Sequence, residues 1–158
     1  SSANAGDVTL ATRILNIRNG ARVSTESFNQ GQAGNLAVSA SESLNITGIG
    51  IQNNNAVGSS LLTSTQNSGA AGNLRIVNTG LLKVQNGGRI STSTSGQGRG
   101  GNIDVIADTI DLVGLSANGL LATGLASETT AIGSSADAGN ITLVTKLLNI
   151  SDGARIST

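Results

Sequence analysis

Five times along this chain a glycine followed by Asn or Asp opens onto an aliphatic residue: Gly6-Asp7-Val8, Gly34-Asn35-Leu36, Gly72-Asn73-Leu74, Gly101-Asn102-Ile103 and Gly139-Asn140-Ile141. Repetition at a period of tens of residues constrains a fold more than any local pattern, because each repeat must find its burial partner in its neighbour. The glycines lie 28, 38, 29 and 38 residues apart, so short and long units alternate and the true period is a pair of 66 or 67 residues. The outermost short units test that period. Residues 5–25 (AGDVTLATRILNIRNGARVST) and 138–158 (AGNITLVTKLLNISDGARIST) agree at 13 of 21 positions without a gap. Most of the differences exchange Val for Ile, Ile for Leu, Arg for Lys or Asp for Asn.

Within a short unit the apolar residues alternate, as in strands with one buried face. Val8 with Leu10, Leu15 with Ile17, and Ala21 with Val23 make three short strands, with Asn19-Gly20 as a turn. The third unit repeats the pattern with Leu74 and Ile76, Leu82 and Val84, then Ile90 after Asn86-Gly87. In the long units the first two pairs persist as Leu36/Val38 and Leu44/Ile46, and as Ile103/Val105 and Ile110/Leu112. Their extra length reads as loop, at about Thr47 to Ser60 in the second unit and, after the third strand, at about Gly124 to Asp137 in the fourth. One such unit cannot bury its apolar row alone. Stacked as turns of a solenoid, equivalent strands would lie in parallel at ~4.8 Å, and five turns would rise roughly 24 Å. The expected fold is therefore all-β: a right-handed parallel β-helix of about five coils, three short strands each, starting near residues 5, 33, 71, 100 and 138 of a single domain spanning 1–158. Asp7, Asn35, Asn73, Asn102 and Asn140 would stack at one corner as a ladder of hydrogen-bonded side chains. The glycine before each suits a sharp corner with positive φ, where a Cβ would clash.

Composition agrees with thin stacked layers. Glycine contributes 22 residues, Phe28 is the lone aromatic, and Pro, Cys, Met, His, Trp and Tyr are absent. The core must then be built from small and β-branched side chains. Polar low-complexity sequence often stays disordered, but here Leu, Ile and Val recur at fixed positions. Nine basic and nine acidic residues cancel, which leaves no field to draw in nucleic acid or an anionic membrane surface. No run approaches the ~20 apolar residues of a spanning helix, so membrane insertion is not expected. The motif breaks off at Ile156-Ser157-Thr158, as in an excerpt of a longer array whose export signal lies elsewhere. Open solenoid ends expose strand edges, so the chain made alone should associate end to end.

Without His or Cys, catalysis would fall to carboxylates. The densest cluster is Asp104, Asp108 and Asp111, the kind of group that β-helical pectin-cleaving enzymes use. Alternation turns Asp104 and Asp111 outward on different strands, and a solvated, aggregation-resistant face is the better reading. No catalytic, cofactor-binding or metal-binding residue is assigned, and no cofactor is expected. Arg22, Arg89 and Arg155 recur at one position and read as a regular surface feature two coils apart. Ser91-Thr92-Ser93-Thr94 reads as solvated outward strand positions rather than an ice-binding array. The calcium-binding G-G-x-G-x-D repeat is absent. The triplets at Asn45, Asn140 and Asn149 match the glycosylation pattern but fall in expected strands.

The phrases AGNITLVTKLLNISDGARIST and GQAGNLAVSASESLNITG resemble the repeats of filamentous-haemagglutinin-like exoproteins, especially the large cyanobacterial ones, and the likeness covers nearly the whole chain. The resemblance implies a right-handed β-helix exported by two-partner secretion through an outer-membrane barrel and placed outside the cell or on its surface as an adhesin. Its partners would be that barrel during export and glycans or proteins of a host or neighbouring cell. The family's N-terminal secretion domain, with its Asn-Pro motifs, has no counterpart in this proline-free chain. The resemblance therefore implies an adhesive shaft; a β-helical polysaccharide lyase or hydrolase is the alternative.

Overall fold

The computed structural model describes residues 3–78, 80–130 and 136–158. The described chain is all-β with parallel sheets and contains no helix. Its strands are β1 (Val8–Arg18), β2 (Arg22–Ser27), β3 (Leu36–Thr47), β4 (Ile49–Gln52), β5 (Asn55–Gly58), β6 (Ser60–Thr65), β7 (Leu74–Asn78), β8 (Leu81–Gln85), β9 (Arg89–Thr94), β10 (Ile103–Val113), β11 (Gly124–Thr129), β12 (Ile141–Ser151) and β13 (Arg155–Ser157).

Two parallel sheets carry the fold. One runs β1-β3-β7-β10-β12, with β8 also paired to β3 and β10; the other runs β2-β6-β9-β11-β13. Every neighbour in these sheets comes from the next or previous glycine-marked unit, and like residues face each other. Leu10, Val38, Ile76, Val105 and Leu143 are in register, as are Leu15, Leu44, Leu82, Ile110 and Leu148. In the second sheet Val23, Leu61, Ile90, Leu125 and Ile156 form the matching column. These columns merge in one apolar core whose central members, such as Leu44, Leu82 and Ile110, are fully buried.

The expected three short strands per unit are separate only in the third unit. Elsewhere the first two run on as one strand, as in β10, where the inward phase Ile103-Val105-Ala107 switches to Ile110-Leu112. Successive side chains alternate between faces, so the seven residues from Ile103 to Ile110 require this change of phase, whereas in β3 eight residues separate Leu36 from Leu44 and both apolar pairs stay inside in one phase. In β1 the pairing register shifts at the corresponding place, between Thr12 and Ile14.

The extra length of the second unit sits where the sequence places it, but it is a β-hairpin, β4 paired antiparallel with β5, rather than loop. In the fourth unit the placement needs correction. Gly124 to Thr129 is itself the third strand, β11, paired residue for residue with β9. The main insert precedes it, at 114–123, closed by a bridge between Leu115 and Ala122. Residues 131–135 of the expected loop lie outside the described residues.

The inserts have a packing role set by the short units. Asn19-Gly20, Asn86-Gly87 and Asp152-Gly153 all have positive φ at both residues, the conformation of a type I′ turn. Each turn is closed by a backbone bond, for example Gly88 N–H to the Gln85 carbonyl at 3.0 Å. The β4–β5 hairpin packs against Gly20, and the hairpin and the 114–123 insert meet over Gly87, where an added Cβ would lie 2.9 Å from both Ile49 Cγ2 and Ser116 Cβ. The fourth unit's insert reaches the last turn through Leu115 at Gly153. Turn, insert, turn, insert, turn thus form a continuous ridge beside the second sheet.

Candidate functional site: a groove beside the insert ridge

The outward residues of the second sheet lie next to that ridge. Arg22, Ser60, Arg89, Gly124 and Arg155 form one register column, so the three recurrent arginines are separated by small residues. Ser24, Leu62, Ser91, Ala126 and Ser157 form the next outward column. A groove of about 320 Å³ lies here. Ala56, Val57, Gly58, Leu121 and Ala122 from the two inserts form its wall, and Ser60, Leu62, Ser91 and Ser93 its floor.

Its charges are internally matched. Arg22 Nη2 donates to Gln52 Oε1 at 2.8 Å, and Arg22 Nη1 lies 3.4 Å from Glu26 Oε1. Arg89 Nη2 lies 2.5 Å from Glu128 Oε1, joining the third unit to the fourth. Arg22, Arg89 and Glu128 all line the groove. Arg22 and Arg89 are therefore parts of paired donor and acceptor arrays, a role that recurrence alone did not reveal.

The corner residues stack in a different manner from the side-chain ladder expected. Asp7 Oδ1 accepts from Asn35 N–H at 2.7 Å, Asn35 Oδ1 from Asn73 N–H at 3.0 Å, Asn73 Oδ1 from Asn102 N–H at 2.9 Å and Asn102 Oδ1 from Asn140 N–H at 2.8 Å. Each bond runs from a backbone amide to the previous unit's side chain; a side-chain pair joins only Asn35 Nδ2 to Asp7 Oδ1, at 3.2 Å, among the described residues. The expected positive φ at the preceding glycines is contradicted: Gly6, Gly34, Gly72, Gly101 and Gly139 are all outside the positive-φ set. Glycine is needed for another reason. A Cβ at Gly34, Gly72, Gly101 or Gly139 would overlap the carbonyl oxygen of the corner glycine one unit earlier.

Those carbonyls meet a buried hydroxyl column that the sequence reading missed. Thr25, Thr63, Thr92 and Ser127 are in register and buried. Thr25 Oγ1 donates to the Gly34 carbonyl at 2.5 Å, Thr63 Oγ1 to that of Gly72 at 2.6 Å and Thr92 Oγ1 to that of Gly101 at 2.6 Å. The solvated reading of Ser91 to Thr94 is thus corrected: Thr92 and Thr94 point inward at 0% and 1% exposure, Ser91 faces outward yet is buried at 6%, and Ser93 is half-buried. A hydroxyl that fully satisfies a carbonyl can be buried at little net cost.

Two of the three aspartates are engaged in ion pairs. On β10, Asp108 lies 2.9 Å from Lys146 and Asp111 3.6 Å from Lys83, while Asp104 is exposed in register with Arg75. No group of three or more Asp or Glu is placed to hold a metal among the described residues. Of the glycosylation-like triplets, Asn45 and Asn149 lie within strands and Asn140 is a corner residue.

The fold and groove define an all-β repeat scaffold with a charge-balanced surface cleft. No protein-family model matches the chain, and neither a curated protein nor a solved structure is significantly similar to it.

Proposed function

We propose that the chain is a length of right-handed parallel β-helix forming the structural and adhesive shaft of a secreted or cell-surface haemagglutinin-like protein. The observation that carries this reading is the in-register parallel pairing of equivalent residues through all five units. Parallel crossovers are almost always right-handed. An array in which each unit contacts only its neighbours lengthens without limit, which suits a spacer that holds a binding surface away from a cell. The inserts on its side supply the contact surface. Export by two-partner secretion through an outer-membrane barrel follows from the resemblance of the repeats. A chain without cysteine can pass unfolded and then fold unit by unit outside.

The β-helical lyase or hydrolase is the second reading. Against it, Asp108 and Asp111 are each tied to a lysine on opposite neighbouring strands. The test offers the protein on beads to labelled bacterial and animal cells and, separately, assays release of reducing ends from plant and bacterial polysaccharides. Cell retention without cleavage supports the shaft. Cleavage that disappears in the Asp104→Asn/Asp111→Asn double variant overturns it in favour of the enzyme.

A further inference from the structure

The groove's lining runs along the stack, from Arg22 in the first unit to Glu128 in the fourth. Three inter-unit steps of ~4.8 Å make it about 14 Å long, so it suits an extended ligand. Its chemistry narrows the class. The Arg22–Glu26 and Arg89–Glu128 pairs offer donors and acceptors side by side with little excess charge, and Ser60, Ser91 and Ser93 add hydroxyls. Opposite these, Val57 and Leu121 of the insert wall give an apolar side, and Leu62 stands among the serines of the floor. An anionic chain would have to displace the carboxylates already held by the arginines. A peptide adding as a strand needs a free edge, and the floor strands β6 and β9 are paired on both sides.

We infer that this groove binds an extended, uncharged polysaccharide, whose rings present hydroxyls to the paired polar residues and their apolar faces to the insert wall. The inference deepens the reading of the inserts as contact surface and rests on it. Binding per groove is weak, because the wall has no aromatic side chain for a sugar ring to stack on. A pair-repeat array gains strength by multiplying grooves two units apart along one polymer.

The experiment is affinity electrophoresis of the protein through gels containing galactomannan, xyloglucan or hydroxyethylcellulose, with polygalacturonate as the anionic comparison, at low and high salt. Retardation by at least one neutral polymer, insensitive to salt, is expected. Glu128→Gln, which keeps shape and removes the charge partner of Arg89, and Ser93→Glu, which narrows the floor, should each weaken retardation about tenfold, the equivalent of one lost charged hydrogen bond. Ser39→Glu, on the outer face of the other sheet, should leave it unchanged, and thermal unfolding of each variant reports whether it folds. Failure of all three neutral polymers overturns the inference, as does retardation by polygalacturonate alone that salt abolishes. Retardation lost in Ser39→Glu but kept in the groove variants also overturns it. If cells are retained on beads while no neutral polymer binds, the adhesive reading stands and this ligand class falls.

Discussion

A methyl group at Gly72 would land on the Gly34 carbonyl oxygen, a backbone atom that is fixed by the stack. The same substitution at Gly6 meets nothing within 4 Å. Gly72→Ala is therefore expected to destabilise the fold by about 3 kcal/mol or more, the upper end of overpacking costs, while Gly6→Ala stays within about 0.5 kcal/mol of the parent. Urea unfolding followed by circular dichroism measures both. The hydroxyl opposite the same corner gives a second prediction. Thr63 is fully buried and its Oγ1 donates to the Gly72 carbonyl, so Thr63→Val keeps the shape but orphans that acceptor. The expected cost is about 1–3 kcal/mol, and Thr63→Ser should recover most of it. Sequence pattern revealed the glycine but gave the wrong cause. It registered a special backbone position, and only stacking shows that the obstacle is the neighbouring unit rather than φ. The threonines were illegible because alternation of Ser with Thr carries no hydropathy contrast.

At the scale of elements, the pairing of short with long units has a structural basis. Ser59, just before β6, donates its hydroxyl to the Thr47 carbonyl at 2.8 Å and accepts from Gly20 N–H at 3.0 Å. Thr123, just before β11, accepts from Gly87 N–H at 2.8 Å. Each long unit thus completes the tight turn of the short unit before it. Thr123→Val leaves a buried N–H without a partner and should cost about 1–3 kcal/mol, as should Ser59→Ala. The two changes act in different unit pairs, so their effects should add within about 0.5 kcal/mol. Strong coupling between them in a double-mutant cycle would contradict this account. The turns themselves were plain in the sequence, because Asn-Gly and Asp-Gly are the dipeptides that tolerate two successive positive φ values. β11 was not. Gly124 stands where the third strands of the short units carry Arg, and its inward residues after Leu125 are Ser127 and Thr129, so a single apolar side chain marks the strand. The groove was beyond any local pattern, since its wall joins segments around residues 57 and 121 that meet only through the stack.

For the whole molecule, the columns that close the core also leave its two ends apolar. Leu44, Leu82 and Ile110 are fully buried, whereas Leu148, the next member of their column, is 41% exposed, and Ile150 beyond Leu112 is 45% exposed. β12 and β1 are the terminal strands of their sheet, so each also presents an unpaired backbone edge. An edge with both unpaired amides and bare core side chains is a template for another strand of like pattern. The first unit has that pattern, because β1 carries the same alternation as β12 and the two segments agree at 13 of 21 positions. The chain as described should therefore self-associate head to tail, with the β1 edge of one copy on the β12 edge of another. Sedimentation velocity should reveal a series of species growing with concentration. Leu148→Lys with Ile150→Lys should abolish the series, because burying two ammonium groups against a second copy's core costs several kcal/mol, while in the free chain both side chains reach water. The ordered interior is untouched by that change, so the unfolding midpoint should move little. A protein that stays monomeric at millimolar concentration, or a double lysine variant that still assembles, would place the contact elsewhere than the stack ends.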